Sequence, residues 1–493
     1  MKDILKENKL KLLGIGIILY FVFIYAININ ITIKNCELIG MILIAFIILS
    51  TNFIIVKKYE KEKKIDYKKI ILAIIIIGII LRTVYILYTP ITQRQHDMEV
   101  ETGHLAYIET IYQTGKLPTS NSWQFYQQPL HHIIAAGWLK INEFFSVDLQ
   151  TAEEGIQILT AIYSSMLMLI TYCILKEIKI KDCYKVLVIL MVAVHPTFII
   201  LSGSINNDIL SVMLIFTNLL YIVKWYKESS FKNTIILAII TALSALTKIA
   251  GTIIAVPILY VFINKLLKDY FKEKNVQVIK SYISKFLVFG IISLGLGLSY
   301  SIRNLILFDQ DIFYVPTPGE ASYCGDRSWL DRLNIFSSEW LNIYCKPFDD
   351  CNIFAYLIKS SLFGEYSPEQ TDIIGEIIAI LMLISNIIIV TISLICLIKI
   401  LKKQKQKVSV ILNMFIIFYI TELAMYMYGN VTKQYGCTMD FRYIVPTILL
   451  GMLFIINICK ESKKYYKIVS SMVILFAIVA IIFELTYMST LHL

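Results

Sequence analysis

The sequence predicts an all-α polytopic membrane protein with about thirteen transmembrane helices and two long extracytoplasmic segments. Composition is the first observation behind this. Of 493 residues, 57% are hydrophobic and only 17% are charged, too apolar for an ordinary soluble domain. The second is that the apolar residues fall in runs of about 20, enough to cross a bilayer as a helix. The third is the placement of lysine. Dense Lys occupies residues 1–11, 57–69, 176–185, 224–232, 265–285, 399–407 and 460–467, while the alternate gaps are poor in Lys and Arg for their length. This alternation is the positive-inside pattern, and it sets orientation with the N-terminus cytoplasmic and the C-terminus outside. The formal charge of +10 therefore marks loops facing an anionic leaflet rather than a nucleic-acid partner.

In chain order the expected spans lie near 10–30, 38–56, 69–90, 156–175, 184–201, 206–223, 233–249, 250–264, 284–306, 373–398, 408–427, 441–458 and 468–487. The first run is too long for a signal peptide and lacks a small-residue cleavage pattern. His195-Pro196 predicts a kink in the fifth span, with His195 lining a cavity as the alternative. The pair 233–249 and 250–264 is separated only by Lys248, Gly251 and Thr252, but Lys on both flanks requires an even number of crossings there. Arg82 and Glu422 fall inside apolar runs, where pairing within the bundle is expected.

This topology leaves 91–155 and 307–372 outside, each too short for a separate soluble domain with a large core. Amphipathic stretches such as Leu130–Phe145 are suited to lie along the membrane. The chain divides into an N-terminal two-helix extension (1–68), a membrane module with the first outer loop (69–306), the second outer loop (307–372) and C-terminal helices (373–493). Neither a GxxxxGK[ST] phosphate loop nor space for a nucleotide-binding domain is present, which argues against an ATP-driven pump. The nine cysteines form no CxxC pattern, and Cys324, Cys345, Cys351 and Cys437 fall outside, where a bridge is chemically possible.

Five separated pieces of sequence place polar groups at the same depth on the outer side. Asp97 and Glu99 open the first outer segment, followed by His104. Asn207 and Asp208 begin one span, Lys248 follows another, Arg303 and Asn304 end a third, and Asp440 and Arg442 open a fourth. Each has a bland alternative: Lys248 and Arg303 as snorkelling anchors, Asp208 as a helix cap. Taken together, a rim carboxylate among cations suits the reaction of a phosphate-bearing lipid. The cations neutralise a phosphate leaving group and the carboxylate deprotonates an incoming hydroxyl. Sugar transfer from a polyprenyl-phosphate donor has these requirements, and attack from the face opposite the leaving group inverts the anomeric carbon.

The same segments carry a family resemblance. HDMEVETGHLAYIETIYQTGKLP (96–118), YQQPLHHIIAAGWLKI (126–141), GSINNDIL (203–210), LTKIAG (246–251), RNLILF (303–308) and CTMDFRYIVP (437–446) follow one another in the order seen in GT-C membrane glycosyltransferases. The chain most resembles family 39-type members, the group of protein O-mannosyltransferases and aminoarabinose lipid A transferases. The resemblance implies an extracytoplasmic site under the first long loop, with Asp97 as the catalytic base or acceptor-orienting residue. It also implies Asp208 and Glu99 as further carboxylates, and His104, Asn207, Lys248, Arg303, Asn304, Asp440 and Arg442 as substrate-binding groups. The chain departs from the family pattern in three ways. Gln128 and His131-His132 replace a Pro and a pair of Tyr, Met98 separates Asp97 from Glu99, and two hydrophobic runs precede the first loop.

The expected function is an inverting glycosyltransferase of the bacterial cell membrane, multi-pass, with its site on the outer face. The donor is polyprenyl-phosphate-linked, and the acceptor is a cell-wall polymer, glycolipid or protein. A transporter or flippase of lipid-linked glycans is the alternative; one-sided polar density and the lack of an obvious repeat weigh against it. No cofactor is expected. The alternative is Mg²⁺ or Mn²⁺ held by Asp97, Glu99 and Asp208.

Overall fold

The computed structural model describes residues 2–28, 66–98, 101–317, 323–325, 327–368, 372–403 and 409–492. The expected span near 38–56 and the candidate Glu99 lie outside the described residues. The described chain is helical apart from one isolated bridge and a two-residue antiparallel pairing of Ser367–Pro368 with Leu491–His492. Eight described helices are long and apolar enough to cross a membrane: Tyr67–Tyr88, Leu149–Glu177, Asp208–Lys227, Ile249–Glu273, Val276–Gly297, Ile373–Lys402, Val410–Thr432 and Lys463–Thr486. This is the architecture of a polytopic membrane protein. Shorter apolar helices at Leu10–Ala26, Phe231–Thr247 and Thr447–Cys459 coincide with three more of the expected spans. A fourth, Ile353–Phe363, lies where the sequence suggested only a loop.

The long helices pack along one another. Asp208–Lys227 lies against Ile156–Glu177 and Phe231–Thr247, and Phe231–Thr247 lies against Val276–Gly297. Ile373–Lys402 packs on Lys463–Thr486 and Thr447–Cys459. Val276–Gly297 keeps most of its apolar surface outward (Leu287 is 60% exposed and Ile291 73%), as a lipid-facing helix does. The helix Tyr67–Tyr88 approaches Asp182–Val194 closely because Gly78 lacks a side chain. A Cβ there would stand 2.5 Å from the Met168 sulfur and 3.0 Å from the Ala193 Cβ.

The fifth expected span is broken. Asp182–Val194 stops at His195, and a short helix Pro196–Ile200 follows. Proline has no N–H to offer the carbonyl four residues back, which is that of Val192. The fully buried Arg82 supplies the missing donors. Its guanidinium bonds Val192 O (3.0 Å), Ala193 O (2.9 Å), Gly78 O (2.8 Å) and Ser164 Oγ (2.7 Å). Arg82 thus repairs a helix break and does not pair with Glu422. His195 is buried among Phe198, Phe441 and Phe476 rather than lining a cavity.

The two long segments touch over one end of the bundle. Asn121 donates to Gln310 (3.1 Å), and the rings of Tyr126 and Tyr314 meet edge to face. Arg94 donates to the Leu491 carbonyl (3.0 Å), which ties the first segment to the C-terminal strand. The described cysteines are free thiols. Cys324 and Cys351 share a thiol hydrogen bond, which lowers the Cys324 thiol below its usual range.

Candidate functional site

The first segment leaves the helix Tyr67–Tyr88 and turns sharply at Arg94 and Asp97, both of which have left-handed backbone (φ 51° and 54°). Gln95 pins this turn to the next helix connection by accepting from the Ile205 N–H (2.9 Å) and donating to the Gly203 carbonyl (2.7 Å). The Asp97 carbonyl accepts from the His104 N–H (2.9 Å). Gly103 permits this closure, since a Cβ there would sit 2.4 Å from the Asp97 oxygen and 2.6 Å from that of Met98. Gly103→Ala is therefore expected to open the turn, read as faster limited proteolysis between residues 91 and 103 with helix content unchanged.

Asp97 itself is half-buried, and its carboxylate has no hydrogen bond or ion pair to another described side chain. Its charge is felt at Tyr126, whose hydroxyl is held un-ionised first by burial and then by Asp97, with Arg442 opposing and Asp208 adding. Asp97, Asp208 and Arg442 therefore all act electrostatically on the Tyr126 hydroxyl.

Asp208 opens the helix Asp208–Lys227 and is 3% exposed. Asn206 accepts from its N–H, and Asn207 donates to Gln127 (2.6 Å) and to the Thr247 carbonyl (2.7 Å), drawing the end of Phe231–Thr247 inward. This delivers Lys248 to Asp208 as a direct ion pair. Arg442 approaches the other carboxylate oxygen at 3.8 Å. The ring of Tyr443 underlies both cations, 4.9 Å from Lys248 and 5.1 Å from Arg442. Arg442 also donates to the Tyr443 hydroxyl (3.1 Å), yet its Nε is buried without a partner.

Next to this group stands a second, of which the sequence singled out only Asp440. Glu365, buried after the helix Ile353–Phe363, lies 3.1 Å from His96 Nδ1, and Asp440 completes a buried trio. Burial and then Glu365 push the Asp440 carboxyl up to about 6. Burial works against ionisation of Glu365, but the His96 hydrogen bond overrides it and holds the carboxyl below its usual value. Besides Asp440, the signal in the sequence was that His96 adjoins the singled-out Asp97; Glu365 carried none.

His104 is the histidine expected from the sequence as a substrate contact. It is buried and stacked on His132, with Nδ1 3.0 Å from His132 Nε2, and Tyr107 stacks on the far side of His132. Burial pushes the His104 imidazole down to about 3, so it offers no cation at neutral pH. Among the described residues, Arg303 and Asn304 share no hydrogen bond or ion pair with Lys248 or Arg442. Arg303 donates to the Pro118 carbonyl (2.7 Å) and to Asn304 Oδ1 (2.9 Å). It borders a mainly apolar groove of about 360 Å³ lined by Leu117, Leu130, Ile133, Leu246 and Tyr300. For the alternative of a metal on Asp97, Glu99 and Asp208, Asp208 already pairs with Lys248 on one oxygen and has Arg442 3.8 Å from the other, while Glu99 lies outside the described residues.

Compared with curated proteins, the chain has no match. Residues 138–302 match the sequence profile of a family described as dolichyl-phosphate-mannose-protein mannosyltransferase. The matched stretch contains Asn207, Asp208 and Lys248, and stops short of Arg303 and of the Asp440–Arg442 turn. Over about a third of its length the chain is thus similar to membrane glycosyltransferases of the GT-C type, which supports an activity of that general kind.

Proposed function

We propose that the chain transfers a sugar from a polyprenyl-phosphate carrier to a hydroxyl-bearing acceptor on the outer face of the membrane, with inversion. One observation carries this reading: two cations, Lys248 and Arg442, are gathered on a buried Asp208, Arg442 keeps a donor unused, and the half-buried Asp97 acts on the same Tyr126 hydroxyl as Asp208 and Arg442. Asp208 holds Lys248 and Arg442 in place before substrate arrives, so that little reorganisation is needed when phosphate charge develops. The acceptor oxygen attacks the anomeric carbon as the bond from that carbon to the phosphate oxygen breaks. The hydroxyl proton passes to the Asp97 carboxylate, and polyprenyl monophosphate leaves against Lys248 and Arg442.

The groove beside Arg303 suits the first units of a prenyl chain, being apolar with a single charged residue in its lining. Arg303 spans Pro118 and Asn304 with two separate nitrogens, a geometry that lysine cannot reproduce. Arg303→Lys is expected to raise the KM for lipid donor about tenfold, corresponding to about 1.4 kcal/mol, with a smaller effect on kcat. The acceptor belongs to the outer surface, as cell-wall polymer, glycolipid or protein. Purified chain incubated with labelled polyprenyl-phosphate sugars and membrane acceptors should release polyprenyl phosphate as sugar moves. Translocation of the intact lipid in vesicles without cleavage of its sugar–phosphate bond would instead make the chain a transporter.

A further inference from the structure

The geometry points to a divalent transition-metal site formed by His96, Glu365 and Asp440, with Zn²⁺ or Mn²⁺ as its occupant. One ligand atom from each of these three buried residues lies within 4.8 Å of the others. Two of these atoms, His96 Nδ1 and Glu365 Oε2, are 3.1 Å apart. Ligands held about 2.1 Å from one cation stand roughly 3.0 Å apart in octahedral and 3.4 Å apart in tetrahedral geometry, so this edge already has coordination length.

The outer atoms of all three side chains are separately held. Tyr366 lies 3.4 Å from His96 Nε2, the Tyr356 hydroxyl donates to Glu365 Oε1 (2.5 Å), and the Arg442 N–H donates to Asp440 Oδ1 (2.6 Å). Such partners fix the tautomer and the orientation of metal ligands. The remaining Asp440 oxygen, Oδ2, is buried and has no partner. A buried acceptor left open is costly, and two buried carboxylates in one pocket repel, unless a cation lies between them. His96 alone answers Glu365 but leaves Asp440 Oδ2 orphaned.

The donor set narrows the cation. An imidazole nitrogen with two carboxylates suits Zn²⁺ or Mn²⁺, while Mg²⁺ and Ca²⁺ prefer oxygen ligands alone. Three protein ligands leave at least one position for water or another oxygen donor. The ion would join the turn at residue 96, the segment after Ile353–Phe363 and the turn before Thr447–Cys459. It would thereby steady the backbone that carries Asp97. The site stands independently of the proposed sugar transfer, because it is read by binding.

The test uses the full chain, purified in detergent after growth with added Zn²⁺ and Mn²⁺. Elemental analysis should find about one such ion per chain, and the double variant Glu365→Gln/Asp440→Asn should retain less than about a fifth of it. After chelation, Zn²⁺ or Mn²⁺ added back should raise Tm by about 2–4 °C in the native chain and leave the single variant Asp440→Asn unmoved. The single variant keeps shape and hydrogen bonding, so the comparison survives if the double variant is misfolded. A native chain that is monodisperse, metal-free and unresponsive to added ions overturns the site. Equal metal content in native and variant chains also overturns it, by assigning the ion elsewhere.

Discussion

Asp97→Asn is expected to lower sugar transfer by about 10²- to 10⁴-fold, the range that loss of a general base removes, while the protein remains folded. The substitution is a clean test because of where the residue sits. Its backbone is in the left-handed region (φ 54°), which asparagine tolerates about as well as aspartate, so the turn survives. The turn's own bonds are made by the Asp97 carbonyl and by Gln95, not by the Asp97 carboxylate. Asparagine keeps the size and loses only the charge and the basicity. The loss should appear in kcat with donor KM little changed, since the phosphate-facing cations are elsewhere. Single-turnover rates with saturating lipid donor measure it. Turnover within a factor of three of the native chain would remove Asp97 from the mechanism and leave Asp208 as a carboxylate already committed to two cations.

The positions of the long helices were legible because a run of about 20 apolar residues has few other fates and lysine marks its cytoplasmic flank. Ile353–Phe363 was not legible. Its eleven residues are too few for a span, and Lys359 reads as a surface charge, although it is fully buried on Asp350. The site was legible in its rim residues and not in its connections. Asp208, Lys248 and Arg442 read from sequence as groups at one depth, and folding brings them into mutual contact. Arg303 sits at the same depth by sequence, yet it turns to Pro118 and a groove of its own. Depth along a span is encoded locally, whereas azimuth around the bundle depends on packing that no single segment specifies. Glu365 and His96, 269 positions apart in the chain, meet for the same reason.

Arg82→Met should destabilise the chain by about 3–5 kcal/mol, the scale of removing one partner from a buried charged network. Methionine fills much of the same volume, so the loss is of donors rather than of packing. Four acceptors lose their partner at once: Gly78 O, Val192 O, Ala193 O and Ser164 Oγ. Gly78 O remains within an intact helix, and Ser164 Oγ still donates to Phe198 O (2.6 Å). The carbonyls of Val192 and Ala193 have no such recourse, because the helix ends at His195 and water is excluded from the bundle at that depth. The expected readout is a fall of at least about 5 °C in the Tm of the detergent-solubilised chain, together with a lower yield of monodisperse protein. Arg82→Lys should fall between the two, since one ammonium cannot reach all four acceptors. Pro196→Ala separates this account from a general intolerance of change at residue 82. It restores an N–H four residues after Val192, so in the Arg82→Met background it should recover part of the lost stability, whereas in the native chain it should not stabilise. Equal effects of Pro196→Ala in both backgrounds would mean that Arg82 and the broken helix are energetically independent, and that the guanidinium is held there for some other reason.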